Sequence, residues 1–142
     1  MTFQKYFLDV LRYKYLDFEG RASRAEYWYF VMYKWLSIIG LILTSTILSF
    51  VPYIGEVISM LFFIAIVGLI LPSLAIVVRR LHDVGESGGL LLVGLVPFIG
   101  SIVLFVFKVQ EGKTGPNKYG PDPYSLEDNY TGTSKALDDF TY

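Results

Sequence analysis

Three uncharged runs, residues 36–51, 57–78 and 90–107, constrain this chain more than any other feature, because 16, 22 and 18 consecutive residues without a charge cannot be displayed to water. Hydrophobic residues make up 54% of the sequence and charged residues 18%, which is too apolar for an ordinary small soluble domain. A soluble core would spread its apolar residues along amphipathic stripes; here they are blocked into runs, so lipid is the expected solvent. The reading is an all-α membrane protein with about three transmembrane helices, preceded by an interfacial amphipathic helix.

Phe3, Phe7, Val10, Leu11 and Lys14 lie at i, i+4, i+7, i+8 and i+11, with Gln4, Lys5, Asp9 and Arg12 turned away. That spacing predicts a short amphipathic helix within residues 1–22. Tyr6, Tyr13 and Tyr15 suit the headgroup zone, so a helix lying on the membrane is expected, the alternative being one packed on a protein neighbour. Ser23 and Glu26 have capping-box spacing, which predicts a helix start at Ser23. Tyr27, Trp28, Tyr29, Tyr33 and Trp35 then form an aromatic belt around Lys34. Thr44, Ser45, Thr46 and Ser49 are read as helix-contact residues, and Pro52 to Glu56 as a turn.

In the second run Pro72 removes the hydrogen bond to the Gly68 carbonyl, which predicts a kink. Gly85 is the expected left-handed helix terminator, and Ser87 the cap of the next helix. The third run is interrupted by Gly94 and by Pro97-Phe98-Ile99-Gly100. A full crossing is expected, since 18 apolar residues span more readily than two half-helices; the alternative is a Pro/Gly-broken hairpin with shielded backbone.

The transmembrane domain is thus placed at 23–110. Residues 111–124 form a turn-rich juxtamembrane segment, marked by Gly115-Pro116-Asn117 and Tyr119-Gly120-Pro121-Asp122-Pro123. Residues 125–142 are acidic and poor in aliphatic side chains, a composition expected to be disordered. Lys5, Arg12, Lys14, Arg21 and Arg24 precede the first span, and Arg79 and Arg80 precede the third run. The positive-inside rule therefore places the N-terminus and the central turn in the cytoplasm. Lys108, Lys113 and Lys118 would obey the same rule only if the third run turned back. No cleavable leader is expected, the first span doubling as the targeting signal.

Net charge divides as +2 over residues 1–110 and −3 over 111–142, which leaves no basic field for nucleic acid. With one histidine and no cysteine, neither a zinc site nor a thiol nucleophile is expected, and no cofactor is predicted. Gly112-Lys113-Thr114 resembles the end of a phosphate loop, but Phe107 stands where the required glycine should be.

The polar residues concentrate in Arg79-Arg80-Leu81-His82-Asp83-Val84-Gly85-Glu86-Ser87-Gly88. Together with Gly20-Arg21-Ala22-Ser23-Arg24-Ala25-Glu26-Tyr27-Trp28, the Leu71-Pro72 pair, Pro97-Phe98-Ile99-Gly100 and the segment from Gly115 to Pro123, this stretch resembles the domain-of-unknown-function 805 family of small bacterial inner-membrane proteins. The resemblance covers roughly residues 3–124. It departs at Gly89-Leu90, where the family often has an aromatic residue. It implies a multi-pass inner-membrane protein and carries no activity, ligand or cofactor.

Arg21, Arg24, Arg79 and Arg80 are candidate contacts for an anionic ligand or lipid headgroup. Glu26, His82, Asp83, Ser87, Asn117 and Asp122 are candidate polar or ion-pair partners. His82 and Asp83 are adjacent on a helix and do not face each other, so no catalytic dyad is assigned. The expected role is a structural or interaction protein with a polar Arg/His/Asp cap on the cytoplasmic face. Its partners are the bilayer and a second copy or another membrane protein. The alternative is binding or transport of an anionic ligand, or an enzyme on a lipid-linked substrate.

Overall fold

A computed structural model describes residues 3–48 and 54–125, and among these there are helices and turns but no strand. Of the expected turn at 52–56, Pro52 and Tyr53 lie outside the described residues, as do Ser49 and nearly all of the acidic tail, while residues 54–56 are not a turn but the start of the next helix. The described residues form five α-helices: α1 (Phe3–Arg12), α2 (Arg24–Leu48), α3 (Ile54–Gly68), α4 (Ile70–Asp83) and α5 (Ile99–Val109). A 3-10 helix, Gly88–Leu95, precedes α5. The chain divides into two compact units, Met1–Phe18 with Ala25–Ile76, and Glu19–Arg24 with Val77–Tyr142.

In the first unit α1 has the expected amphipathic pattern, and its apolar line is shared with α2. The Phe7 ring lies 5.5 Å from Phe30 and 6.0 Å from Tyr33 between centroids, while Val10 and Phe30 are fully buried. α2 begins directly after Ser23, the predicted cap position, and Glu26 in its first turn pairs with Lys14 at 3.1 Å. Among the described residues, Arg24–Leu48 and Gly55–Asp83 are the two helices long and apolar enough to cross a membrane; 25 residues rise about 37 Å. The hydroxyls of Thr44 and Thr46 bond the carbonyls of Gly40 and Ile42 one turn back. Both are the back-bonds to the preceding turn that threonine makes within a helix.

The helical run from 55 to 83 loosens at a single residue, Leu69, between α3 and α4. The cause is Pro72, which has no N–H for the Gly68 carbonyl. That carbonyl is not left empty in an apolar setting: the Tyr15 hydroxyl, 53 residues away, donates to it. Tyr15 was expected as a headgroup ring; its hydroxyl instead fills the vacancy made by the proline. Tyr15→Phe keeps the ring and orphans the carbonyl, at about 1–3 kcal/mol. A lowered thermal midpoint in mild detergent checks this, with Tyr13→Phe as the control.

In the second unit α4 ends at Asp83. Gly85 has φ +87°, its N–H bonds the His82 carbonyl at 3.0 Å, and the Glu86 N–H bonds the Leu81 carbonyl at 2.9 Å. This is the paired closure of a Schellman motif, and the positive φ explains the glycine. Ser87 caps as expected, accepting from the Gly89 N–H at 3.2 Å, but the helix it opens is 3-10 rather than α. The third apolar run is not one straight helix. It breaks between the 3-10 helix and α5, which pack on each other. Phe98 has φ 62° and ψ −60°, and the Ile99 N–H bonds the Pro97 carbonyl at 2.7 Å, a γ-turn of the strained positive-φ kind. Proline supplies no donor, and a Cβ on Gly100 would strike the Val93 carbonyl oxygen. The single straight helix expected over 90–107 is therefore a Pro/Gly-broken run.

Candidate functional site

The polar stretch from 79 to 88 sits in the second unit with residues 19–24 and the turn-rich segment, and its centre is Asp83. This carboxylate is 1% exposed and lies between two guanidiniums. Arg21 Nε donates to Oδ1 at 2.9 Å, and Arg80 Nη1 donates to Oδ2. Arg80 sits one helical turn before Asp83, so α4 itself sets that pair. Arg21 comes from the approach to α2, whose backbone is tied to α4 by the Ala22 N–H bonding the Arg79 carbonyl at 3.0 Å.

The other guanidinium nitrogens of both arginines bond main-chain carbonyls. Arg21 Nη1 bonds the Gly115 oxygen at 2.6 Å and Nη2 bonds that of Lys113. Arg80 Nε bonds the Lys108 oxygen at 3.2 Å, Nη2 that of Gln110, and Nη1 approaches that of Ala22 at 3.5 Å. Lys108 lies in the last turn of α5 and Gln110 is its C-cap. Such carbonyls lack intrahelical partners and carry the negative end of the helix dipole. Arg80 is therefore a cationic cap on α5. The Asp83 main chain joins in, its carbonyl accepting from the Lys113 N–H at 2.9 Å. Gly112 is packed so closely to the Asp83 carboxylate that a Cβ there would overlap both oxygens and their carbon.

His82 lies in the same unit with a different set of neighbours. Its ring is stacked on Tyr119 at 3.8 Å and 4°, Nδ1 is 3.1 Å from the Gly20 carbonyl, and its own carbonyl accepts from Asn117 Nδ2 at 3.0 Å. Tyr119, in turn, is 4.8 Å from the Lys118 ammonium. Asn117 Oδ1 accepts from the Tyr119 N–H at 2.8 Å, so this asparagine both folds its turn and fastens it to α4.

Asp122 does the same for the next turn, accepting from the Gly115 N–H at 2.9 Å and the Tyr124 N–H at 3.0 Å. These two amides, Gly115 first, hold its carboxyl below the usual carboxylate range. The sign follows. A depressed folded value adds stability that is complete above the unfolded pKa of about 3.9 and is lost as pH falls through the folded value. The turn should thus outlast ordinary carboxylates on acidification. Amide exchange at Gly115 and Tyr124 checks this, since Asp122→Asn should remove the acid dependence below about pH 4.

Of the four candidate arginines, Arg21, Arg79 and Arg80 are buried, whereas the Arg24 side chain is 40% exposed and pairs with Glu111 at 2.9 Å. Arg24, Glu111, Lys113, Asp122 and Tyr124 line a small open cavity of about 190 Å³ that is floored by Arg21 and Asp83. Sequence reasoning thus found Arg21, Arg80 and Asp83, and missed Gly112, Tyr119 and the carbonyls of Lys108, Gln110, Lys113 and Gly115. Gly112, Gly115 and Tyr119 had only the signal of lying in the turn-rich segment. Glu26 belongs to the first unit, with Lys14.

Residues 15–121 match the model of a family described as "Protein of unknown function (DUF805)". The chain belongs to this family. It is similar to inner membrane protein YhaI of Escherichia coli K12, with 43% identity over 122 residues, covering 84% of this chain and 95% of that protein. It is also similar to inner membrane protein YhaH of the same organism, with 38% identity over 118 residues, covering 83% and 95%. No solved structure matches it. With two helices among the described residues long and apolar enough to cross a membrane, this member of the DUF805 family is a helical protein of the bacterial inner membrane.

Proposed function

We propose that the protein is a non-enzymatic component of the inner membrane, acting through contacts with a second copy or another membrane protein. In this reading its Arg/His/Asp cap is a structural clasp at the cytoplasmic face. One observation carries it: Arg21 and Arg80 commit every guanidinium nitrogen to Asp83 or to main-chain carbonyls. An anion entering there would compete with the bonds that hold the turn-rich segment. The cytoplasmic side follows from the lysines and arginines before the first span and at the central turn.

The partner reading is supported on α2. Of the small residues suited to close helix approach, Gly68 faces Tyr15 and Gly94 faces Leu104, whereas nothing lies within 4 Å of a Cβ built on Gly40. Gly40 and Thr44 give the small-xxx-small spacing on that open face. The chain has no cysteine, so Gly40→Cys provides a clean test. Oxidative cross-linking in native membranes should give a species containing this chain and a partner or a second copy. Monomer alone at every expression level would defeat the contact role. A ligand-handling role would instead show as Arg80→Ala or His82→Ala losing a phenotype while the folded amount in the membrane stays unchanged.

A further inference from the structure

We infer that residues 88–109 form a re-entrant wedge: an apolar hairpin that enters the lipid of one leaflet and returns, leaving both of its flanks on one side of the membrane. The occupant of its outer surface is the acyl-chain region of that leaflet.

The ends of the hairpin are fixed first. At its start, Gly88 backs onto the last turns of α4, where a Cβ would lie 2.7 Å from Val78 Cγ1 and 3.5 Å from His82 Nε2. At its end, the carbonyls of Lys108 and Gln110 are held by Arg80. Entry and exit thus meet the same stretch of α4, and a chain that leaves and returns to one polar cluster has not crossed to the other face. Length agrees. The 11 residues of α5 rise about 16 Å, roughly half of a hydrocarbon core about 30 Å thick.

The surface agrees as well. No charge occurs from 90 to 107, and the side chains at the far end are the most exposed of the hairpin, Leu95 at 79% and Phe98 at 85%, with Ile99 at 66%. Irregular backbone at membrane depth is tolerated only if its polar groups find partners. Here the N–H groups of Val96, Ile99, Gly100 and Ile102 all bond carbonyls of the hairpin itself, and Pro97 has none to satisfy. Finally, the charges beyond the hairpin fit a return. Lys108, Lys113 and Lys118 fall on the side of Arg79 and Arg80, where the positive-inside rule wants them.

Single cysteines in the cysteine-free chain test the wedge with a membrane-impermeant maleimide, applied to spheroplasts and to inverted vesicles. Glu86→Cys and Pro116→Cys, both at exposed positions, should react from the same side. Phe98→Cys and, as a second position with ordinary backbone, Leu95→Cys should react from neither side, at least about tenfold less than in denaturing detergent. Pro116→Cys reacting from the side opposite to Glu86→Cys would overturn the wedge, as would ready labelling of both tip cysteines from either side. Both flanks reacting from the periplasm would uphold the wedge and refute only the cytoplasmic orientation proposed above. An unchanged chain carrying a reporter after Tyr142 reads the side of the C-terminus without any substitution in the hairpin. A C-terminus opposite to Glu86 would again overturn it.

Discussion

Asp83→Ala should sharply lower the amount of folded protein recovered from membranes, with a loss of about 3–5 kcal/mol. The carboxylate stands between Arg21 and Arg80 and is 1% exposed. Removing it leaves two guanidiniums facing one another without their shared anion, and neither can turn to water without dropping its carbonyls. That loss is a large part of a typical total of about 5–15 kcal/mol. Asp83→Asn keeps the volume and one acceptor while deleting the charge, so its effect should be smaller than that of alanine. Fluorescence-detected gel filtration and thermal midpoints in one detergent would measure both. An Asp83→Ala protein as abundant and as heat-resistant as the parent would show that the cluster contributes nothing to the fold.

Arg80→Lys should fail to substitute for arginine, despite preserving the charge. Three guanidinium nitrogens reach the oxygens of Asp83, Lys108 and Gln110 simultaneously, and a lysine has one nitrogen at the end of a flexible stem. Hydrogen bonds to charged groups contribute about 1.5–3 kcal/mol each, so losing two should cost about 3–6 kcal/mol. The loss should also be localised. Amide exchange at the end of α5, near residues 106–110, should accelerate more than exchange in α2, because that helix end loses its cap. Parental stability in Arg80→Lys would mean that the fork geometry is irrelevant and only the charge counts.

The parts of this fold that were legible in the sequence are those encoded by a residue's own chemistry. Uninterrupted apolar runs announced the spans, Ser23 and Ser87 the helix starts, Gly85 the end of α4, and Pro72 the weak point at Leu69. Pro97 and Gly100 signalled a break in the third run; they were outweighed there by its length, because 18 apolar residues suit a spanning helix and a wedge equally in composition. Illegible were contacts whose partner is main chain. Nothing in the letters at 108, 110, 113 or 115 says that a carbonyl will meet an arginine from far earlier in the chain. Tyr15 shows the same limit, because its pairing with Gly68 depends on a vacancy that Pro72 creates and on folding that brings residues 53 apart together. The candidate site was therefore half readable. Its ionic members were found, but their commitment to backbone acceptors, on which the proposed clasp rests, was not.

Because Arg21 and Arg80 grip oxygens that every amino acid possesses, the segment from 108 to 115 is constrained in spacing more than in spelling. Replacing the side chains of Gln110 or Lys113 leaves each acceptor in place; the exceptions are Gly112, because of its closeness to Asp83, and Gly115, whose φ is +76°. Inserting or deleting one residue in that segment moves the carbonyls out of reach together. The clasp therefore works as a ruler, measuring how many residues separate the end of α5 from the turn at Gly115.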